Sequence, residues 1–443
     1  MNLPDTILSC MEALERAGFE AYVVGGCVRD ACLGIVPHDY DMCTSALPEE
    51  TEAVFAGRRL VLAGKKHGTV GVVMDGEVVE ITTFRTEGDY RDNRHPDWVE
   101  FVPDVEKDLA RRDFTVNAMA WSPKRGFADP FGGREDLRNN ILRAVGDAEL
   151  RFQEDSLRIL RGVRFAVRYG LAVEQKTEGA MHTQACLMDN LARERVFEEL
   201  CKLLPLVTAR DLIRFAPVIT QVIPELAPLV GYDQKNRHHT HDLYTHTALV
   251  VENCPAGLAL RWAALLHDIG KVRSMTMGTD GQAHYFGHAA VSAEMADQIL
   301  RRLKAPTALR EQVVLLIGKH MTLPEPEKKY LRRWLGKLGR ETMEALLLLQ
   351  QADTTATGTM HAAEFDRFSQ ISRILKEIQE ENTCLSLKDL ALNGHDLIAC
   401  GYTGKAIGRA LNYLLNLVLE ETCENTREAL LAALHLYPKE ESQ

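Results

Sequence analysis

The chain has 443 residues, 46% of them apolar and 26% charged, with a net charge of −11. That length exceeds the roughly 250–300 residues at which one hydrophobic core stops growing, so more than one domain is expected. No apolar run approaches the eighteen or so residues needed to span a bilayer, which leaves no membrane partner. The acidic balance argues at first against a nucleic-acid partner, but binding depends on where basic residues sit and not on their sum. Ten cysteines lie scattered without a Cys-x-x-Cys pair, as expected for reduced thiols in the cytoplasm.

The first stretch, MNLPDTILSCMEALERAGFE, is amphipathic with acids inside it and reads as a helix, not a signal peptide. Up to about residue 125, short strand-like runs alternate with Gly-rich turns: AYVVGG, RRLVLAG, GTVGVVMDG, EVVEITTF and DWVEFV. VGVVMDGEVVEI predicts a hairpin closed at Asp75-Gly76. From about residue 137 the pattern is helical to the end, with a histidine-rich segment between roughly 235 and 355. The fold class is α+β, a small sheet domain followed by a mostly helical body. The texture divides it into residues 1–125, 126–225, 226–360 and 361–443.

Chemistry concentrates first in AYVVGGCVRDACLGIVPHDYDMCTS. An apolar strand runs into Gly25-Gly26, where missing side chains let backbone amides approach phosphates. Arg29 can hold a phosphate in bidentate fashion. Asp39 and Asp41 stand at i, i+2, a spacing that on a strand points both carboxylates to one face. Paired carboxylates suit Mg²⁺, which fills its remaining positions with water and substrate phosphates. Glu80, on the alternating run EVVEITTFR, offers the third acid that two-metal phosphoryl-transfer sites recruit from a neighbouring strand. Taken singly, each feature also describes an ordinary solvated turn or strand.

EDSLRILRGVRFAVR predicts a helix on which Arg158, Arg161, Arg164 and Arg168 share an arc of about 120°. Ile159, Leu160, Val163, Ala166 and Val167 take the opposite side. The expectation is a buried apolar face and an exposed basic stripe fit for phosphate contact. Asp155 and Arg158 lie one turn apart and present an acceptor beside a donor, or else form a plain i, i+3 ion pair. Cytosine and adenine both offer an amino donor beside a ring-nitrogen acceptor, which this pair complements. Guanine and uracil offer the reverse.

Five motifs in order, GGCVRD (25–30), DYD (39–41), DLARRDFTVNAMA (108–120), DPFGGREDL (129–137) and EDSLRILRGVRFAVRYGL (154–171), carry a family likeness. The chain resembles the polymerase β nucleotidyltransferases, and more narrowly the bacterial class II CCA-adding enzymes and their poly(A) polymerase relatives. The resemblance implies catalytic Mg²⁺ on Asp39 and Asp41, beside which the strand pattern offers Glu80. It places Gly25, Gly26, Arg29, Arg111 and Arg112 at the triphosphate, with Asn117 in support. It assigns base reading to Asp155 and Arg158, next to Arg161 and Arg164. CTP, ATP and tRNA are the implied partners. TEGDYRDNRHPDW resembles the flexible loop of enzymes that add all of CCA, and the last helical stretch resembles the tail that meets the tRNA elbow.

In the histidine-rich segment, His267-Asp268 with His246 upstream and Asp353 downstream resembles the HD metal-hydrolase pattern, and His288 and His320 stand where some HD domains add ligands for a second metal. Mn, Fe, Ni, Zn and Mg all suit this donor set. The implied extra activity is phosphodiesterase or phosphatase chemistry on nucleotides and 3′ ends. The alternatives to CCA addition are a poly(A) polymerase, a CC-only or A-only enzyme, or an HD phosphohydrolase whose N-terminal half binds RNA.

Overall fold

A computed structural model describes residues 1–88, 99–235, 240–279, 281–358, 362–381 and 384–437. The core of the polar TEGDYRDNRHPDW segment, together with His238 and His239, lies outside those residues. Two compact units divide the chain: residues 1–227 with 302–304, and residues 228–301 with 305–443.

The first unit opens with the expected helix, Asp5–Arg16, followed by strands β1 (Ala21–Val24), β2 (Met42–Thr44), β3 (Leu60–Val61), β4 (Thr69–Met74), β5 (Glu77–Thr83), β6 (Arg85–Glu87), β7 (Val99–Phe101), β8 (Ala120–Ser122) and β9 (Gly126–Ala128). Seven of them form one sheet in the order β3-β4-β5-β2-β1-β8-β9, and β6 pairs with β7 separately. Only β2 and β5 run parallel within the large sheet. All four residues of β1 are buried, as an apolar strand covered by helices on its flank requires. The β4–β5 hairpin closes where the sequence places it. Met74 pairs with Glu77, and Asp75 (φ 50°) and Gly76 (φ 91°) take the two left-handed positions of its turn.

Beyond the sheet the unit is helical. The helix Leu157–Tyr169 docks on Phe114, whose ring lies 6.0 Å from Phe165 and 6.5 Å from Phe152. Gly162 makes that approach possible, because a Cβ there would stand 2.9 Å from the Phe114 ring. The second unit packs the helices Leu243–Asn253, Leu258–Leu266, Thr307–Lys319 and Arg340–Ala356 against one another, with Trp262 fully buried among its largest side chains. A separate cluster around Leu392, Leu414 and Leu430 forms the core of its C-terminal helices. No helix among the described residues is long and apolar enough to cross a membrane.

Two local expectations change. Asp39 and Asp41 are not on a strand: β2 begins at Met42, and both acids sit in the loop that enters it. The basic stripe on Leu157–Tyr169 is not an exposed face. Arg158 and Arg164 are buried and only Arg168 is exposed. That side of the helix packs on other elements, where acids meet the guanidinium groups.

Candidate active site and a second histidine–aspartate centre

The loop between β1 and β2 determines where the acids stand. Gly25 ends β1 at φ 77°, and a Cβ on it would lie 2.9 Å from Nη1 of Arg112. Its amide donates to the carbonyl of Met119 at 3.0 Å. Gly25 therefore contributes room and conformation, and not the phosphate-facing amide that the sequence suggests. Met42 opposes Ile81 across the parallel β2–β5 ladder. Asp41 and Glu80 each stand one residue before that pair, so neighbouring strands deliver them side by side. Asp39, Asp41 and Glu80 are all exposed and line one cleft of about 480 Å³. Desolvation within the cleft raises the pKa of Asp41, Asp39 adds to the rise, and Arg112 opposes it. Three carboxylates that face solvent with few fixed partners are a fitting donor set for a hard divalent cation.

Asp41 also borders a second cleft, of about 450 Å³, lined by Gly25, Gly26, Arg29, Arg111, Arg112, Asn117, Asp155, Arg158 and Arg161. Arg111, Arg112 and Arg161 are held by buried acids. Asp108, 1% exposed, receives Arg111 at 2.9 Å and Arg112 at 3.3 Å. Burial alone would raise the Asp108 pKa; the two guanidinium groups outweigh it and leave the carboxyl below its ordinary value. Asp113 receives Arg161 at 2.7 Å and the amide of Asn117 at 2.9 Å. Burial is again overcome, and the Asp113 carboxyl falls to about 2. The carbonyl oxygen of Asn117 accepts from Arg29, which also donates to the hydroxyl of Tyr169 and lies 4.3 Å from the centre of its ring.

Asp155 precedes the helix Leu157–Tyr169 and does not pair with Arg158. One of its oxygens accepts from the Leu157 amide at 3.1 Å, the other from Arg195 at 2.8 Å. Arg158 bonds Glu154 at 2.7 Å and the carbonyl of Arg111 at 2.8 Å. Both side chains face the cleft with their orientation fixed from behind. Arg164 does not join them: it is buried against Glu199 at 2.6 Å, in a helix–helix contact. Sequence reasoning passed over Asp108, Asp113, Tyr169 and Arg195. The first two flank the Arg-Arg pair of DLARRD, where acids beside arginines are a readable cue. Nothing in the sequence marks Tyr169 or Arg195, because their partners are remote in the chain.

The second unit gathers all six expected residues. His246 Nε2 lies 3.0 Å from Asp353 and 3.6 Å from Asp268. His267 Nε2 lies 3.2 Å from Asp268, and His288 Nε2 lies 3.3 Å from its other oxygen. His320 Nε2 stands 3.2 Å from that of His288. Among the described residues, His246, His267 and Asp268 form one group able to hold an ion, and Asp268, His288 and His320 another. In each of the four histidines Nδ1 meets a backbone carbonyl: Ala356 (3.3 Å), Ala264 (2.8 Å), Tyr285 (2.7 Å) and Ile317 (2.6 Å). A proton on Nδ1 leaves the Nε2 lone pair facing inward, as for ligating imidazoles. Lys271 approaches Asp268 at 2.8 Å, yet no well-directed hydrogen bond reaches either Asp268 oxygen or Nε2 of His267, all of them buried. Buried polar atoms left in this way are costly unless a cation completes them. Burial would lower the His267 pKa, but Asp268 and Asp353 raise it to about 10; burial and the charge on His267 push His320 down to about 4. The positive charge invited at this centre is one that a metal can supply in place of a proton.

Comparison with known proteins gives consistent neighbours. Residues 21–143 match the poly A polymerase head domain, residues 170–229 match the "Probable RNA and SrmB- binding site of polymerase A", and residues 283–434 match a tRNA nucleotidyltransferase domain 2. The last of these includes His288, His320 and Asp353 but not His246, His267 or Asp268. The CCA-adding enzyme of Latilactobacillus sakei is 32% identical over 96% of both chains. That of Geobacillus stearothermophilus is 34% identical over 96% of this chain and 95% of its own. The crystal structure of the Bacillus stearothermophilus CCA-adding enzyme in complex with CTP superposes with a TM-score of 0.73 at 29% identity, covering 98% of each chain.

Proposed function

The chain belongs to the CCA-adding enzyme family, tRNA nucleotidyltransferases that build CCA on tRNA 3′ ends, and from that premise we propose how its residues divide the work. Asp39 and Asp41 hold the divalent ion, with Glu80 beside them. Arg29, Arg111 and Arg112 receive the triphosphate of CTP or ATP. Asp155 and Arg158 read the base. The observation that carries this reading is that Asp41 borders both clefts, so the carboxylates and the arginine-lined pocket adjoin at one residue.

Nucleotidyl transfer in this family uses a divalent metal ion, and Mg²⁺ bound by Asp39 and Asp41 would acidify the attacking 3′-hydroxyl and neutralise charge on the phosphates. The protein's share is positioning. Asp108 keeps Arg111 and Arg112 pointed into the cleft, and the Asp113–Asn117 pair does the same for Arg29. Each Asp155 oxygen retains a lone pair able to accept from the amino group of cytosine or adenine, while Arg158 donates to the ring nitrogen. Guanine and uracil would place acceptor against acceptor and donor against donor, at about 1–3 kcal/mol for each unsatisfied group. In this way a protein surface replaces a template.

The division into a head (1–125), a helical neck and body (126–225), a metal-binding domain (226–360) and a tRNA-binding tail (361–443) belongs to the same proposal, as does a cytoplasmic setting. Its test is extension of tRNA transcripts ending before CCA, after C and after CC, with each NTP alone and with CTP plus ATP. Growth that stops at CCA supports the assignment. A halt at CC, growth only from CC, or a long A tail would move the chain to a CC-adding, A-adding or poly(A) relative.

A second activity is favoured by the four histidines that all turn Nε2 toward Asp268. We propose that His246, His267, Asp268 and Asp353, with His288 and His320, form an HD-type site for one or two divalent ions, and that this site hydrolyses phosphate esters. Elemental analysis of purified protein checks it: bound Mn, Fe, Ni, Zn or Mg lost in His267→Ala supports the site, and metal content unchanged by that substitution rejects it.

A further inference from the structure

The mouth of the histidine–aspartate centre carries an aromatic surface that metal binding does not explain. Asp268, Lys271, His288 and Asp353 share a cavity of about 370 Å³ with His284 and Phe286. Phe286 is 80% exposed, among the most exposed large apolar side chains described. Its ring lies parallel to that of His284, at 5.4 Å and 13°. A phenyl ring left in water forgoes the stabilisation that burial would bring, so one held out beside a reactive cavity asks for a ligand.

The surrounding backbone is fixed, not loose. Ala283–His284 pairs with Thr276–Met277 in a short antiparallel ladder. The Ala283 amide donates to the carbonyl of Lys235 at 3.0 Å, and the Tyr285 hydroxyl donates to that of Gln234 at 2.7 Å. The Tyr285 carbonyl also meets Nδ1 of His288, so the segment that presents Phe286 orients one of the inward-facing histidines. Lys271, buried at the cavity wall, supplies positive charge within the same space.

We infer that the His284–Phe286 pair is a stacking platform for the base of the nucleotides or 3′ ends that the HD likeness implies, with the base on Phe286 and the phosphate toward Lys271 and the inward-facing histidines. The platform rests on the phosphohydrolase reading for the fate of the phosphate but not for the binding of the base. The phenyl face, which has no hydrogen-bonding group, grips any base and rejects esters that lack one.

The test is fluorescence of 2-aminopurine riboside monophosphate, which stacking quenches, titrated with full-length protein before and after Mn²⁺ loading. Each titration is repeated in an Arg158→Ala background, so that quenching at the nucleotidyltransferase cleft is recognised by its loss there and is not counted toward the platform. A pentaribonucleotide ending in a 2-aminopurine 3′-phosphate runs in parallel, and quenching of either probe identifies its source. The expected result is quenching by the metal-free and the loaded protein, weakened about tenfold or more in Phe286→Ala and kept in Phe286→Trp, with ribose 5-phosphate a poor competitor. No quenching of either probe, or equal affinity in Phe286→Ala, overturns the platform. Metal content of the same preparations is read separately, so a chain that binds no metal yet quenches through Phe286 would reject the phosphohydrolase reading and leave the platform standing.

Discussion

Arg161 of the helix Leu157–Tyr169 meets Asp113 at 2.7 Å, and through that contact the helix is tied to the segment that carries Arg111 and Arg112. Asp113 also receives the Asn117 amide, and Asn117 in turn holds Arg29. One buried carboxylate thus orients two elements of the nucleotide cleft. Its depressed pKa of about 2 makes it a pH-dependent contributor to stability. An unfolded Asp titrates near 3.9, so the contribution is complete above about pH 4 and disappears as pH falls through about 2. The difference of nearly two pH units corresponds to about 2.6 kcal/mol. In urea unfolding, Asp113→Asn should be less stable than wild type by about that amount at pH 7, and the gap should close toward pH 2.5. A gap that does not change with pH would show that the ion pair is not what makes Asp113 stabilising.

Gly25 gives a steric prediction. Alanine there needs a left-handed backbone and sets its Cβ against Arg112 Nη1. The strain is of order 1–3 kcal/mol, part of it relieved by displacing Arg112. Gly25→Ala should fold, as circular dichroism would report, yet add nucleotides about tenfold more slowly or worse. Wild-type rates would mean that Arg112 has no fixed role at the triphosphate.

Arg195 is expected to act through Asp155. It holds one Asp155 oxygen at 2.8 Å, and its loss frees the carboxylate proposed to read the base. Arg195→Met keeps much of the side-chain volume and removes the clamp. Incorporation of CTP and ATP should fall, and UTP or GTP should gain relative to them, because discrimination depends on where the acceptor stands. Single-nucleotide extension with all four NTPs measures this. An equal loss for every nucleotide would make Arg195 structural only.

These residues also show where sequence reading succeeds and where it stops. The β4–β5 hairpin was legible because Asp75-Gly76 supplies the two left-handed residues that its turn requires. Asp39, Asp41 and Glu80 were legible as a group, although their reason for meeting is the parallel β2–β5 register and not a shared strand. The arginine stripe was misread because helical periodicity reports which residues share a side, not what covers that side. Arg164 is turned toward Glu199, thirty-five positions away, and Arg158 toward Glu154 and the carbonyl of Arg111. Arg195 and Tyr169 were invisible for the same reason: their work lies in contacts with Asp155 and Arg29 that folding alone brings together. The histidine cluster was the opposite case. There the order His246, His267-Asp268 and Asp353 resembles the HD pattern, and that likeness named residues that the fold brings together.

The two candidate centres lie in different units, which makes the last prediction the sharpest test of modularity. The carboxylates of the nucleotidyltransferase cleft all lie within residues 1–227, and the histidine–aspartate centre lies within 228–301 and 305–443. Chelation cannot separate them, since both are expected to need a divalent ion. Substitution can. His267→Ala with Asp268→Ala removes one member of the first group and the carboxylate common to both, and leaves Lys271 buried without its 2.8 Å partner, so the unit should lose several kcal/mol of stability. Extension assays therefore belong well below the melting temperature of the variant. There the double substitution should abolish phosphate-ester hydrolysis and retained metal at the centre while tRNA extension proceeds within about twofold of wild type. Asp39→Ala should do the reverse. Loss of CCA addition in the folded double variant would mean that the second centre serves the first.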